Sequence, residues 1–304
     1  MKKYIIYFLL FTIINANELI TPIPQSIKFD IDKAKLGKKL FYETKLSRNN
    51  TISCSSCHIL ELGGDDNLRV SFGIDGKQGV RNSPTVFNSR FNAYQFWDAS
   101  AKTLKEQARG PIHNPVEMDS NFTEIILKLK KDDYYKHEFY KIYGNITKDN
   151  ILDSIIEFEN TLITPNSKFD KFLRGNKNIL SKSEKNGFKY FKEYGCISCH
   201  NGINIGGNLI QRIGVMFNYK TNDLGRYNVT HDKNDKYYFK VPSLRNVSKT
   251  SPYFHDGRIK TLYDAVSTMA KYQIGFDISD NEINDIISFL KTLDGNATIV
   301  VQNK

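Results

Sequence analysis

The chain has 304 residues, of which 40% are hydrophobic and 25% are charged, a length typical of about two domains and a composition typical of folded proteins. This balance excludes a disordered chain and a protein with several membrane spans. Lys and Arg total 43 against 33 Asp and Glu, for a net charge of +10, but the basic residues are spread along the chain, which argues against a nucleic-acid-binding protein.

The N-terminus has the pattern of a secretory signal peptide. Lys2 and Lys3 precede an apolar run from Tyr4 to Ile14, and Ala16 supplies a small residue for cleavage. An uncleaved anchor is the alternative, but the run is shorter than the roughly 20 residues that span a bilayer. We therefore predict a signal peptide over 1–16, export to the periplasm, no membrane span and a mature net charge of +8.

Two copies of one motif account for all four cysteines. They are Cys54-Ser55-Ser56-Cys57-His58 and Cys196-Ile197-Ser198-Cys199-His200. In a C-x-x-C-H motif the two thiols bond to the vinyl groups of one haem c, and the histidine binds the iron. Disulfides, a thioredoxin-like redox pair and a zinc site built from all four thiolates are the alternatives, but none requires a histidine after both pairs. The sequence therefore predicts two covalently bound haem c groups.

A second repeat suggests that a small haem domain was duplicated. Residues 84–104 align without gaps to residues 242–262 at a constant offset of 158. Seven aligned pairs are identical: Pro84/Pro242, Asn88/Asn246, Phe96/Phe254, Asp98/Asp256, Lys102/Lys260, Thr103/Thr261 and Leu104/Leu262. The first cysteines of the two motifs lie only 142 residues apart, so the second half carries 16 additional residues between its motif and the repeat.

The remaining pattern is mainly helical. Apolar spacing and capping signals predict helices at 31–42, 119–143, 147–163, 181–194, 261–273 and 279–293. The Gly-, Asn- and Asp-rich stretches 61–83 and 201–238 are predicted to be long loops. A boundary near Pro165 divides the mature chain into an N-terminal haem domain, 17–165, and a C-terminal haem domain, 166–304. We therefore predict a mainly α protein with two cytochrome c-like domains in tandem, joined by long loops.

The two halves differ where an axial iron ligand is expected. In the second half, Met269 lies on the apolar stripe of the predicted helix, either as an iron ligand or as a core residue. Ligation by His and Met saturates the iron and raises its reduction potential. In the first half, Gly110-Pro111 is expected to end the corresponding helix, and no His or Met occurs between Ile59 and Ile112. The sequence thus predicts one closed haem and one open haem.

These residues resemble the bacterial di-haem cytochrome c peroxidase family over nearly the whole mature chain. The resemblance rests on both haem motifs and on several short segments: Arg81-Asn82-Ser83-Pro84-Thr85, Phe96-Trp97-Asp98, Glu106-Gln107-Ala108, Gly110-Pro111, Asn114-Pro115-Val116-Glu117-Met118, Pro252-Tyr253-Phe254-His255-Asp256-Gly257, and Ala265-Val266 with Met269. It implies that the haem held by His58 is the low-potential peroxidatic centre. The haem held by His200 and Met269 would then be the high-potential centre that receives electrons from a donor.

The resemblance also implies roles for other residues. Glu117 matches the acid–base glutamate of the family, and Gln107 matches its neighbour in the distal pocket. Trp97, the only tryptophan, matches one that lies between the haems, and His255 matches a histidine near the electron-transfer haem. Without the motifs, Glu117 would be a surface carboxylate, Trp97 a core aromatic residue and His255 an ordinary loop histidine.

A calcium ion between the domains is a further implied cofactor. Its matched ligands are Asn82 and the backbone carbonyls of Thr250 and Pro252, a set of hard oxygen donors that suits calcium. Homodimerisation is common in the family, although the residues of this sequence do not themselves indicate it.

Two segments depart from the family pattern. Many members carry a distal histidine in a Ser-Ile-Gly-His stretch, where it blocks the oxidised peroxidatic iron until the other haem is reduced. Here the stretch is Ser71-Phe72-Gly73-Ile74, so Ile74 replaces that histidine, and His113 is the candidate substitute. We therefore expect the N-terminal iron to be open without prior reduction. The Asp-Gly-Arg that follows the tryptophan in the family is Asp98-Ala99-Ser100, which the sequence alone does not explain.

The expected reaction is reduction of hydrogen peroxide to two waters, with two electrons from a small periplasmic donor, a cytochrome c or a cupredoxin. Glu117 would act as the general acid–base group. A non-catalytic di-haem electron carrier is one alternative, but it would need a strong ligand on both irons. A MauG-like enzyme, which oxidises a partner protein with peroxide, is another, but that subgroup has Tyr in place of the axial Met269.

Overall fold

The computed structural model describes residues 19–297, and the predicted signal peptide, 1–16, lies outside them. The α-helices of the described part are α1 (Ile31–Phe41), α2 (Leu104–His113), α3 (Phe122–Lys130), α4 (Asp133–Tyr143), α5 (Lys148–Thr161), α6 (Lys168–Leu173), α7 (Lys182–Glu193), α8 (Tyr227–Thr230), α9 (Leu262–Thr268) and α10 (Asp280–Lys291). Two short strands, β1 (Ile210–Arg212) and β2 (Tyr238–Lys240), form an antiparallel pair. The prediction of a mainly α fold is confirmed, and no helix within 19–297 is long and apolar enough to cross a bilayer.

Side-chain caps set the start of the helices that build each half. Ser181 and Ser279 accept hydrogen bonds from the amides of Glu184 and Glu282, whose carboxylates bond back to the capping residues. Thr103 forms the same reciprocal cap at the start of α2. Such a cap satisfies two amides that would otherwise lack partners at a helix start. The starts at Ser181 and Ser279 were predicted from the sequence, because a cap depends on residues only three positions apart.

Two helices predicted in the first half have different bounds. The predicted helix 119–143 is wrong as a single helix, because Asp132 accepts hydrogen bonds from the amides of two residues that follow it and starts α4 separately from α3. The expected end of α2 at Gly110-Pro111 is also wrong. Pro111 lacks an amide hydrogen, but the amide of Asn114 still donates to the carbonyl of Gly110 (3.0 Å), so the last turn of the helix closes around the proline.

Two regions of the second half also differ from the prediction. The helix predicted over 261–273 is α-helical only to Thr268, and a π-helical turn, Met269–Ile274, follows it. The predicted loop 201–238 contains α8 and β1, and it leads into β2. Strands of three residues are too short to leave a hydrophobic period in the sequence. A π-turn adds a residue to the helical turn, and such turns are frequent at functional sites.

Each half is built on one close helix crossing that requires a glycine. In the first half α1 packs on α5, and a Cβ at Gly37 would lie 1.8 Å from the carbonyl oxygen of Ser154 and 2.9 Å from Cβ of Phe158. In the second half α7 packs on α10, and a Cβ at Gly187 would lie 1.9 Å from the carbonyl oxygen of Asp285. The same crossing in both halves supports the predicted duplication.

Gly187→Ala should therefore destabilise the protein. The added methyl group collides with backbone atoms, so α7 and α10 must separate, and overpacking of this kind typically costs about 1–3 kcal/mol. Denaturant unfolding of the haem-loaded protein measures the effect, with Lys185→Ala on the exposed side of α7 as the control. An unchanged unfolding midpoint for Gly187→Ala would show that the two helices can move apart without loss of stability.

The two halves meet around Thr164, next to the predicted boundary at Pro165. The side-chain amide nitrogen of Asn88 donates to the hydroxyl of Thr164 (2.8 Å), and its amide oxygen accepts from the backbone N–H of Thr164 (2.9 Å). The side-chain amide nitrogen of Asn246 donates to the same hydroxyl (3.0 Å). The two asparagines occupy equivalent positions of the repeat, and both have φ +61°. The segment just before α1 also crosses between halves, because Ile20 is buried in the core of the second half. The division into domains at 165 stays a prediction.

Comparison with the second copy of the repeat shows which backbone conformation Ala99 adopts in place of the family's glycine. At an offset of 158 its counterpart is Gly257, and the two residues have φ +56° and +58°. This left-handed conformation favours glycine, so Ala99 has the same backbone conformation as Gly257 but at a cost in strain. The guanidinium of Arg226 donates to the carbonyl of Ala99 (3.0 Å) and holds the turn from the second half.

Candidate functional site

The first haem motif lines a cavity of about 560 Å³ in the N-terminal half. Cys54–Ser56 form one 3-10 turn, and the amide of His58 donates to the carbonyl of Cys54 (3.0 Å), which fixes both thiols and the imidazole on the cavity wall. His58 Nδ1 lies 3.2 Å from the carbonyl oxygen of Gly64. Since a carbonyl can only accept, Nδ1 carries the proton and Nε2 is left to bind iron. Burial lowers the pKa of His58, which favours the neutral ring that a metal ligand requires.

The second motif repeats the 3-10 turn of the first around a smaller cavity of about 250 Å³, but Nδ1 of His200 has no hydrogen-bond partner among the described residues. Cys196–Ser198 form the equivalent 3-10 turn, and the amide of His200 donates to the carbonyl of Cys196 (2.9 Å). Burial lowers the pKa of His200 to about 4, so this ring is also neutral. Met269 lines the same cavity from the first residue of the π-turn. Met216, the other methionine considered for this half, is 57% exposed and lies outside the lining.

Both cavities fit a covalently attached haem. Each has two unpaired cysteine thiols and one half-buried, neutral imidazole on its wall. Burial raises the pKa of Cys54 to about 12 and that of Cys57 to about 11, so the free thiols are protonated at neutral pH. The two pairs line separate cavities, and residues 19–297 hold no cluster of three or more His, Cys, Asp or Glu side chains that could bind a metal ion. This arrangement argues against a zinc site shared by four thiolates.

The distal sides of the two cavities differ at one pair of equivalent residues. Because α2 begins at Leu104 and α9 at Leu262, the offset of 158 continues into these helices. The counterpart of Met269 is then Pro111, which lines the N-terminal cavity. A proline side chain has no atom that can bind iron. The position that presents a thioether in one cavity therefore presents no ligand in the other.

Glu117 and Gln107 line the N-terminal cavity together with Pro111. Glu117 is half-buried, and burial raises the pKa of its carboxyl group. Its Oε1 accepts a hydrogen bond from the side-chain amide nitrogen, Nδ2, of Asn114 (2.7 Å), which opposes that rise. The carbonyl of Glu117 accepts from the amide of Ile74 (2.8 Å), so the loop after α2 is fixed to the segment after the first motif. Glu117 thus presents to the cavity a carboxyl group with a raised pKa and an orientation fixed by Asn114.

Neither Ile74 nor His113 presents a ligand to this cavity. Ile74 is fully buried and is absent from the cavity lining, although its neighbour Gly73 is part of it. His113 is exposed, and its Nδ1 lies 3.1 Å from the carbonyl of Ser120. Met118 borders the cavity, but its side chain packs in the N-terminal core. Among the described residues that line the N-terminal cavity, His58 is thus the only histidine.

A thin wall of shared residues separates the two cavities. Trp97 lines both, and its Nε1 donates to the carbonyl of Asn82 (2.8 Å). His255, the repeat counterpart of Trp97, contacts it edge to face with ring centres 6.3 Å apart. His255 also stacks on Phe239 at 4.1 Å, and its Nε2 lies 3.0 Å from the hydroxyl of Thr221. An aromatic contact thus bridges the two halves beside the wall.

Of the three residues predicted to bind calcium, Asn82 lies on this wall, and Thr250 and Pro252 lie beside it. Asn82, Thr250 and Pro252 all line the C-terminal cavity. The amide nitrogen of Asn82 donates to the carbonyl of Leu68 (2.9 Å), which leaves the amide oxygen as the atom that could bind a cation. Oxygen ligands of this kind suit calcium. The calcium site itself stays a prediction.

Comparisons with known proteins agree with this geometry. Residues 31–178 match the family model described as di-haem cytochrome c peroxidase, and residues 184–294 match the model of cytochrome c. The chain is 46% identical to cytochrome c551 peroxidase of Nitrosomonas europaea, over 92% of this chain and 85% of that protein. The chain belongs to the di-haem cytochrome c peroxidase family. Its cofactor is haem c, as both motifs predict.

Other relatives place the chain within this peroxidase family. It is 46% identical to cytochrome c peroxidase Ccp of Escherichia coli over 95% of this chain, but spans only 63% of that protein's length. The methylamine utilization protein MauG of Methylophilus methylotrophus is 30% identical over 91% of the chain, and thus more distant. A MauG-like protein associated with microbial copper homeostasis has a similar structure, with a TM-score of 0.80, 26% identity, and coverage of 92% of this chain and 94% of that one.

Three charged residues of this peroxidase-family chain were missed by the sequence analysis. Arg81 lines the N-terminal cavity and forms ion pairs with Asp98 (2.5 Å) and Asp223 (2.6 Å), which joins the two halves. Glu159 lines the same cavity from α5, and burial raises its pKa to about 8. Lys240 of β2 lines both cavities. Only Arg81 had a signal, its place beside Asn82 in a family segment.

Proposed function

We propose that this protein is a cytochrome c peroxidase that reduces hydrogen peroxide to two waters with two electrons and two protons. The electrons come from a small donor protein, a cytochrome c or a cupredoxin. The asymmetry of the two cavities carries this proposal: Met269 lines one, whereas Pro111 and Glu117 line the other. An electron carrier would need a strong ligand in both cavities.

Glu117 is the proposed acid–base group of the N-terminal cavity. The iron of a haem held by His58 supplies a site for peroxide and electrons for cleavage of the O–O bond. Glu117 accepts a proton from one peroxide oxygen and returns it to the other, which leaves as water. Asn114 holds Oε1, so Oε2 is the atom that carries this proton. Gln107 can orient peroxide by hydrogen bonding from the same cavity wall.

Trp97 and His255 are the proposed route between the redox centres. Trp97 touches both cavities, so the separation is about one side chain thick there. The hydrogen bond from Nε1 to Asn82 and the contact with His255 hold the indole in place. A fixed aromatic ring between two haems shortens the distance that an electron must cross.

The remaining assignments extend this proposal. The signal-like N-terminus supports export to the periplasm, where the donor would be found. Calcium bound by the Asn82 amide oxygen and the carbonyls of Thr250 and Pro252 would join segments from both halves. We also propose that the protein forms a homodimer.

Steady-state turnover tests the proposed reaction. Protein with two haems per chain, checked by the pyridine haemochrome, is mixed with peroxide and a reduced mono-haem cytochrome c or cupredoxin. Two donor molecules should be oxidised for each peroxide consumed. A fully loaded protein that oxidises neither donor would overturn the proposal, and peroxide-dependent oxidation of tryptophans in a partner protein would favour the MauG-like alternative.

The oxidised N-terminal haem should bind cyanide without prior reduction. Ile74 and His113 lie outside the cavity lining, and Pro111 has no ligand atom, so the chain leaves a coordination position free. The haem held by His200 and Met269 should not react, which gives one cyanide per chain. Visible and EPR spectra during a cyanide titration measure this. A six-coordinate low-spin oxidised protein that reacts only after half-reduction would contradict the expectation.

A further inference from the structure

Lys240 is a buried cation that forms no ion pair with any residue of the described part of the chain. It is 5% exposed and lines both haem cavities. Its backbone is fixed, since its amide donates to the carbonyl of Trp97 (2.7 Å) and β2 pairs with β1. No carboxylate of residues 19–297 pairs with its ammonium group, and burial alone lowers its pKa, to about 8. A charge buried in this way is costly unless a bound group compensates it.

The acidic side chains that line the two cavities, Asp65, Asp98, Glu117 and Glu159, form no ion pair with Lys240. Asp98 is paired with Arg81 at 2.5 Å, and Glu117 is hydrogen bonded to Asn114. Glu159 lines the N-terminal cavity, and its buried Oε2 has no hydrogen-bond partner among the described residues. Residues 19–297 therefore offer no carboxylate partner for the ammonium group.

Haem c supplies the missing charge. Its propionates are the carboxylates of the porphyrin edge, and two haems bring four of them to cavities that share the wall on which Lys240 lies. We propose that Lys240 binds haem propionates at this wall and serves as a counter-cation shared by the two haems. A positive charge stabilises the reduced haem, which is more negative than the oxidised one, so Lys240 raises both reduction potentials.

Redox potentiometry of the loaded protein tests this role. Lys240→Met keeps the length of the side chain and removes the charge, and both midpoint potentials should fall. The expected shift is at least about tenfold in the ratio of reduced to oxidised haem at a fixed potential, which is 59 mV for a one-electron couple. Lys240→Arg keeps the charge and should restore most of the shift. Lys182→Met removes a charge from an exposed position outside both cavities and should leave both potentials unchanged.

Resonance Raman spectra give a second readout, because the bending bands of the propionates respond to the loss of a hydrogen-bond donor. If Lys240→Met does not load haem, Lys240→Gln keeps a polar side chain without charge and tests the same loss of the cation. Unchanged potentials and propionate bands would overturn the proposal, and a shift confined to one haem would overturn the shared role. These measurements do not use peroxide turnover, so their failure would leave the proposed function untouched.

Discussion

Replacing Glu117 with Gln is expected to lower peroxide turnover by about 10²–10⁴-fold, the usual contribution of a general acid–base group. The amide keeps the size of the side chain but cannot accept and return a proton. Both haems and their potentials should be retained, because Glu117 contributes no ligand to either motif. Turnover is measured with a reduced cytochrome donor, and spectra confirm an intact site. Glu61→Gln, an exposed position outside the cavity lining, is the control.

The pH dependence of peroxide turnover is a second test of Glu117. Burial raises the pKa of Glu117, so the base form is lost at a higher pH than for an ordinary glutamate as the pH falls. The acid limb of turnover should therefore lie above the usual glutamate range and disappear in Glu117→Gln. A variant that keeps more than about a tenth of the wild-type rate would remove Glu117 from the mechanism.

The haem motifs and most helices were predictable because their signals are local. A C-x-x-C-H motif and a capping pair each involve a few neighbouring residues, and the structure places both motifs on equivalent 3-10 turns. The helix boundaries that failed depended on competition between neighbours. Asp132 could continue a helix or cap a new one, and the capping geometry decided the outcome.

The wall between the haems was harder to predict, because its residues come together only in the folded chain. Lys240 follows Trp97 by more than a hundred residues, and its burial between two cavities leaves no periodic signal. The aligned positions of the repeat that are not identical also carried information about the site. At the same offset Pro111 corresponds to Met269, and Trp97 corresponds to His255. Under the proposed function, these diverged positions are the places where the two haems differ in role.

Met269→Leu is expected to abolish the high-potential redox signal. Leu fills a similar volume but has no sulfur, so the haem of the C-terminal cavity loses the ligand that raises its potential. Axial ligands set haem potentials over a range of about 0.8 V, so the fall should be large in a redox titration. The spectrum of the haem held by His58 should change little, because Met269 lines only the C-terminal cavity.

Peroxide turnover with an external donor should fall together with that signal, since a low-potential second haem accepts electrons poorly. Met216→Leu is the matched control, because Met216 is exposed and does not line the cavity. If the titration of Met269→Leu were the same as that of the unmodified protein, Met269 would be a packing residue. The asymmetry between the two cavities would then have to arise from a ligand other than the Met269 thioether.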